Sequence, residues 1–150
     1  LNMMFSKGEV HKTYWAITQK EPEIPEQTLT NWIVRNEKQN KSYVYDHEVP
    51  NSKKAVLRYK VIGHSDRYCL LEVILMTGRH HQIRCQLAHI GCPIKGDLKY
   101  GAKRSNPGGG IDLLAHQIEF IHPVSQKPIS VVAPVPDSSL WQAIVPKPQG

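Results

Sequence analysis

Between Thr77 and Ala102 the chain reads TGRHHQIRCQLAHIGCPIKGDLKYGA, and the spacing of its apolar positions changes along the way. Thr77-Gly78 is a turn signal. Ile83, Leu87 and Ile90 then recur at i, i+4 and i+7, the single apolar stripe of a helix. Gly91 stops that helix and Pro93 confirms the stop. A loop of glycine and charge follows, with Lys95, Gly96, Asp97, Lys99, Tyr100 and Gly101. Elsewhere the pattern is that of strands: residues 11–19, 42–46, 55–62, 68–75, 113–121 and 129–132. In the first of these Tyr14, Ala16 and Thr18 face one way, and Thr13, Trp15 and Ile17 the other. Both faces carry apolar groups, which predicts an interior strand. Residues 61–68 predict a hairpin with a longer loop. The strand over 68–75 runs directly into the turn and helix, which places the helix N-terminus at a sheet edge, a common position for a site.

Leu29, Trp32 and Ile33 fit a short helix capped at Thr28. Residues 138–144 fit a last helix, capped by Asp137 or Ser138. Residues 105–110, SNPGGG, predict a flexible loop. Leu1, Met3, Met4 and Phe5 fit the final turn of a helix ended by Gly8, which suggests part of a longer chain. Many strands and few helices predict an α+β fold, a mixed, mostly antiparallel sheet with flanking helices.

The 150 residues suffice for one core, and 40% hydrophobic with 21% charged residues describes an ordinary folded chain. A net charge of +6 and a pI near 9.3 fit a polyanionic partner, most simply nucleic acid. Cys69, Cys85 and Cys92 form an odd set without CxxC spacing, which favours free thiols in a reducing, cytoplasmic setting. No apolar run has the length of a membrane span. Arg79 is the odd residue of the central stretch. In a first helical turn its charge opposes the macrodipole, at a cost of about 0.3–1 kcal/mol, unless an anion approaches. Arg79, His80 and Arg84 with the free N–H groups therefore describe an anion site. The plainer alternative is an Arg79 curled back onto a nearby carbonyl. Lys12, Arg79, Arg84, Lys95, Lys99, Lys103 and Arg104 around the rings of Tyr14, Tyr100 and His80 supply the charge and aromatic groups that RNA contacts need.

Other chemistries fit less well. His81, Cys85, His89 and Cys92 share a stripe, but four positions along one straight helix do not converge within ~2.3 Å of a single zinc ion. No GxSxG elbow occurs. A Cys85–His81 pair on one helix makes a poor nucleophile with no oxyanion hole. Gly108 to Gly110 lack the Lys-Ser/Thr of a P-loop.

TGRHHQIR, followed by GCPIKGDLKYGA and later LLAHQIEFIHP, resembles the RluA-type RNA pseudouridine synthase family, and His11-Lys12-Thr13-Tyr14-Trp15-Ala16 is similar to its KxYxA motif. The resemblance runs from Gly8 to about Pro136. It implies isomerisation of uridine to pseudouridine in a folded ribosomal or transfer RNA, with the base flipped into a pocket and neither cofactor nor metal required. An aspartate acts at the sugar, the N-glycosidic bond breaks, the uracil turns over and a C–C bond forms. Tyr14 would stack on the uracil, and Arg84 would pair with the catalytic carboxylate. An arginine so placed lowers a carboxylate's pKa by ~1–3 units. Arg79, with Lys12, His80, Lys95, Lys99 and Tyr100, would contact RNA or hold the site.

The sequence departs from the family in one respect that matters for chemistry. The family's His-Arg-Leu-Asp motif is absent, and Asp46, Asp66, Asp97, Asp112 and Asp137 stand in other contexts. Asp97 matches a family position read as structural. Gln86 replaces a common His, and His80 a small residue. No S4 RNA-binding domain is recognisable. The expectation is therefore that residues 1–150 form a single partial catalytic domain without its nucleophile, inactive alone. A non-catalytic RNA-binding module on the same fold is the alternative. Exposed sheet surface in such a piece would favour pairing with another copy.

Overall fold

Leu29, Asn31 and Ile33 alternate along the chain, and all three are buried on one face of a strand. The computed structural model describes residues 10–121, 128–132 and 139–144. In it the segment expected as a helix at Thr28–Ile33 is part of strand β2, Glu26–Asn36. The misreading has a physical origin. Asn31 is a polar residue at a core position, so the period of two was hidden and the spacing of Leu29, Trp32 and Ile33 looked helical. The other strands are β1 (Val10–Thr18), β3 (Lys41–Tyr45), β4 (Lys53–His64), β5 (Cys69–Leu75), β6 (Leu113–Ile121) and β7 (Pro128–Val132). They form one seven-stranded sheet in the order β3-β2-β4-β5-β1-β6-β7. Every described pairing is antiparallel, so the sheet is not mixed.

β1 is an interior strand, paired with β5 on one side and β6 on the other. Its alternation divides the core. Ala16, with Tyr14 packed beside it, joins Leu57, Tyr59, Leu71, Val73, Ile83 and Leu87 on one face. Ile17 joins Leu70, Trp141 and Ile144 on the other. The first face is covered by α1 (Gln82–His89) and the second by α2 (Ser139–Ile144). Each fully buried Leu or Ile side chain contributes about 1.5–3 kcal/mol. The caps expected at Asp137 or Ser138 and the helical turn expected at Leu1–Phe5 lie outside the described residues.

α1 starts later than its sequence pattern suggests. Arg79 and His80 precede it, and His81 is its N-cap in the left-handed region at φ 54°. Arg79 is therefore not in the first helical turn. Gln82, almost fully buried, organises the approach: its Oε1 accepts the Thr77 hydroxyl at 2.8 Å and the Arg79 N–H at 2.9 Å, while its Nε2 donates to the Val56 carbonyl at 3.0 Å. At the far end Gly91 takes φ 85°, and the N–H groups of Gly91 and Cys92 donate to the carbonyls of Ala88 and Leu87, each at 2.9 Å. This is a Schellman closure, and it explains why Gly91 stops the helix. The loop at 105–110 is fastened: Asn106 accepts Lys95 Nζ at 2.6 Å and donates to Asp112 at 3.1 Å.

Gly63 sits at a register shift in β4 and lets α2 approach the sheet. A Cβ there would lie 2.4 Å from the Ile144 carbonyl oxygen, whereas a Cβ on Gly78 would meet nothing within 4 Å. Gly63→Ala is therefore expected to lower the unfolding free energy in a urea titration by about 1–3 kcal/mol, with Gly78→Ala close to neutral. Equal effects would show that α2 does not dock in this way.

Candidate active site

Arg84 lies in the first turn of α1, and its guanidinium meets a carboxylate of the same chain. Nε and Nη2 donate to Oδ2 and Oδ1 of Asp97, both at 2.8 Å. Asp97 is 1% exposed while the Arg84 side chain is 22% exposed. The pair is thus a fork-to-fork contact whose anion is enclosed and whose cation reaches the surface. The hydrogen bonds to Asp97 raise the already high pKa of Arg84, against the opposing effect of burial.

The third nitrogen, Nη1, lies 3.0 Å from His81 Nε2. A guanidinium only donates, so Nε2 must accept and the proton of His81 sits on Nδ1. Nδ1 then donates to the Tyr100 hydroxyl oxygen at 2.7 Å, which also accepts the Ser42 N–H at 2.8 Å. Burial first, then Arg84, push the His81 pKa down to about 4, which keeps the ring neutral as the hydrogen bonds require. Burial raises the Tyr100 pKa, so its hydroxyl keeps its proton. With two N–H groups already on its oxygen, that proton is left for a further acceptor. The His80 ring stacks on His81 at 3.8 Å and sits between Ser42 Oγ at 2.9 Å and Asn40 Oδ1 at 3.0 Å.

The structure brings Arg84, His80 and Tyr100 of the expected residues into one cluster. Tyr14 lies on the α1 face of the sheet, against the core cluster that holds Ile83. Lys12 is exposed two positions along β1. Arg79 takes the plainer course: its Nε donates to the Lys54 carbonyl at 2.8 Å. Lys99 donates to the carbonyls of Gln39 and Asn40 at 3.1 and 2.9 Å, and Lys95 faces Asn106 and Asp112. His81, Cys85, His89 and Cys92 have separate surroundings. His89 pairs with Asp46 at 2.8 Å, and Cys85 and Cys92 are buried free thiols. Burial pushes the Cys85 thiol up to about 12, which removes it as a thiolate nucleophile near neutral pH. Sequence reasoning missed Asp97 and Ser42. The signal for Asp97 was a lone acid after Gly96, one loop beyond a helix carrying Arg84, where an unpaired guanidinium needed a partner.

The sequence profile of the RNA pseudouridylate synthase family matches residues 1–89. The chain belongs to this family, within its RluA-type branch. It is 40% identical over 98 residues to the ribosomal large subunit pseudouridine synthase D of Xylella fastidiosa, covering 57% of this chain and 30% of that protein. It is 27% identical over 160 residues to the tRNA pseudouridine synthase C of Vibrio cholerae, covering 95% of this chain and 64% of that one. The structure of human RNA pseudouridylate synthase domain containing 1 superposes with a TM-score of 0.70 at 22% identity, over 94% of this chain and 62% of that chain. The last likeness shows the same fold. The chain spans less than two thirds of the length of each of these relatives.

Two outcomes follow from the cluster. Asp97→Ala leaves the Arg84 charge half-enclosed without its partner and is expected to destabilise by about 3 kcal/mol in urea. Arg84→Met combined with Asp97→Leu should recover much of that loss; no recovery would mean the two residues do not act as a pair. The second outcome concerns pH. The folded pKa of His81, about 4, lies below its ordinary 6.5, so between them the unfolded chain binds a proton that the folded chain refuses. Stability from this group is complete above 6.5 and is lost as pH falls toward 4. His80, also lowered, acts in the same direction. His81→Gln should flatten the fall of the urea midpoint across that window and leave higher pH unchanged; an unaltered slope would contradict the assignment.

Proposed function

We propose that the protein containing these residues converts uridine to pseudouridine in a structured ribosomal or transfer RNA, in the cytoplasm. The observation that carries this is the state of Arg84. A guanidinium has five N–H donors. Asp97 and His81 use three, and the remaining two sit on a side chain that reaches the surface. Such an arginine is fixed in aim and still able to receive a second anion. In this reading that anion is the carboxylate that attacks the ribose. Asp97 itself is a positioning group, because it is enclosed and both its oxygens are engaged. Since the sequence has no His-Arg-Leu-Asp motif, the attacking carboxylate comes from protein beyond these 150 residues.

The reaction breaks the C1′–N1 bond and forms C1′–C5. A proton leaves C5 and one arrives at N1, so no oxidant, cofactor or metal is called for. Tyr14 is assigned to stack on the displaced uracil. Its ring is half-buried on the face that α1 covers, which supports a wall that holds a flat base. Lys12, Arg79, His80, Lys95, Lys99 and Tyr100 are assigned to the RNA side. The internal bonds of Lys99 and Arg79 then serve to fix where their remaining donors point, and those of His80 fix the plane of its ring. The edge strand β3, with Tyr43 and Tyr45 exposed, is the surface on which two copies would pair.

Release of tritium from RNA labelled at uracil C5 tests the reading. The complete natural protein should release label. The 150 residues alone should not, and release by them would contradict an external carboxylate. Arg84→Lys in the complete protein keeps the charge but loses the fork, and is expected to slow release by about 100-fold. If the complete protein binds RNA and releases nothing, the chain is an RNA-binding module instead.

A further inference from the structure

The loop that holds Asp97 against Arg84 has a second side. Its flanks, residues 95–96 and 101–107, wall a groove of about 690 Å³ whose opposite wall is the end of β1 and the β4–β5 turn. The lining carries five cations, Lys20, Arg67, Lys95, Lys103 and Arg104, and no Asp or Glu. Lys95 is already engaged: its Nζ lies 2.6 Å from Asn106 Oδ1, 3.3 Å from Asp112 and 5.6 Å from the centre of the Tyr68 ring. The other four are exposed and form no ion pair among the described residues. Like charges gathered around one groove repel each other, and a polyanion laid between them relieves that repulsion.

We propose that this groove holds backbone phosphates of the RNA beside the target nucleotide, while the nucleotide itself goes to Arg84 and Tyr14. The proposal rests on the function argued above and adds to it a place and an occupant. The distribution of charge favours an extended polyanion over a single small anion. Lys20 follows β1, Arg67 sits in a different turn, and Lys103 and Arg104 come from a third segment, so cations reach the groove from three parts of the chain, and its volume of about 690 Å³ is far more than one small anion fills. Gly101 leaves one wall bare, since a Cβ there would meet nothing within 4 Å. The connection to the site is covalent and short. Lys95 and Gly96 immediately precede Asp97, and Gly101 immediately follows Tyr100, so a backbone gripped here is set in register with the Arg84 cluster.

Salt-dependent binding decides this. Each phosphate neutralised contributes about 0.7 to the slope of log affinity against log salt for a single strand, and about 0.9 for a duplex. Polarisation of a fluorescent RNA stem-loop is measured with the complete natural protein and two triple variants of equal charge change. Arg67→Gln with Lys103→Gln and Arg104→Gln should weaken binding by at least about 10-fold and reduce the slope by about 2–3. Lys38→Gln with Lys53→Gln and Lys60→Gln, all exposed and outside the groove, should change the slope by less than about 1. Equal weakening by both triples would show a response to net charge alone and overturn the groove. RNA binding untouched by the groove triple would overturn it too, while leaving the isomerase reading in place. No RNA binding by the unmodified protein would remove the proposal together with the RNA partner on which it rests.

Discussion

A carboxylate enclosed to the extent of Asp97 is costly without a cation beside it, and a cation in the first turn of a helix costs about 0.3–1 kcal/mol unless an anion meets it. Asp97 and Arg84 answer each other's cost. Their contact also has structural reach, because the Asp97 carbonyl accepts the N–H groups of Tyr100 and Ala102 at 3.2 and 3.0 Å. The ion pair thereby closes the loop that follows α1, and the closed loop delivers Tyr100 to His81 and to Ser42 of the edge strand. Helix, loop and sheet edge are fixed by one guanidinium.

The sheet supplies the other half of the geometry. β1 is interior, so Tyr14 is held from both sides, and strand alternation sends it to the face that carries α1. Beside that apolar core runs a polar line: Gln86 donates to Asn31 at 2.9 Å, Asn31 donates to Asp46 at 3.1 Å, and Asp46 meets His89 at 2.8 Å. It ties α1 to β2 without spending Arg84. Gln86 and Asn31 are buried; the Gln86 amide nitrogen donates to Asn31 and to the Ala55 carbonyl, while its Oε1 has no partner among the described residues. Gln86 thus has a concrete use in this chain, joining α1 to β2 and β4.

Much of this was legible in the residues. The strands over 42–46, 55–62, 68–75 and 113–121 were visible because alternation or an apolar run is a local property of sequence, and the helix stop at Gly91 because a left-handed residue leaves few choices. What failed were places where a tertiary partner decides. Asn31 hid a strand because its partners, Gln86 and Asp46, lie far along the chain. The helix start slipped past Arg79 and His80 because Gln82 folds the preceding segment through Thr77 and Val56. For the site, the motif pointed to Arg84 but not to its internal anion: Asp97 stood out only as a lone acid after Gly96, and its return to a helix 13 residues earlier is a tertiary contact.

The most direct test of the account is a crystal structure of the complete natural protein, read at Arg84. The account predicts a carboxylate oxygen from outside these 150 residues at about 3 Å from Nη1 or Nη2, with the Asp97 fork intact and the Tyr14 ring lining the same cleft. An Arg84 whose remaining donors meet only solvent, or a Tyr14 ring turned to a different cleft, would contradict it.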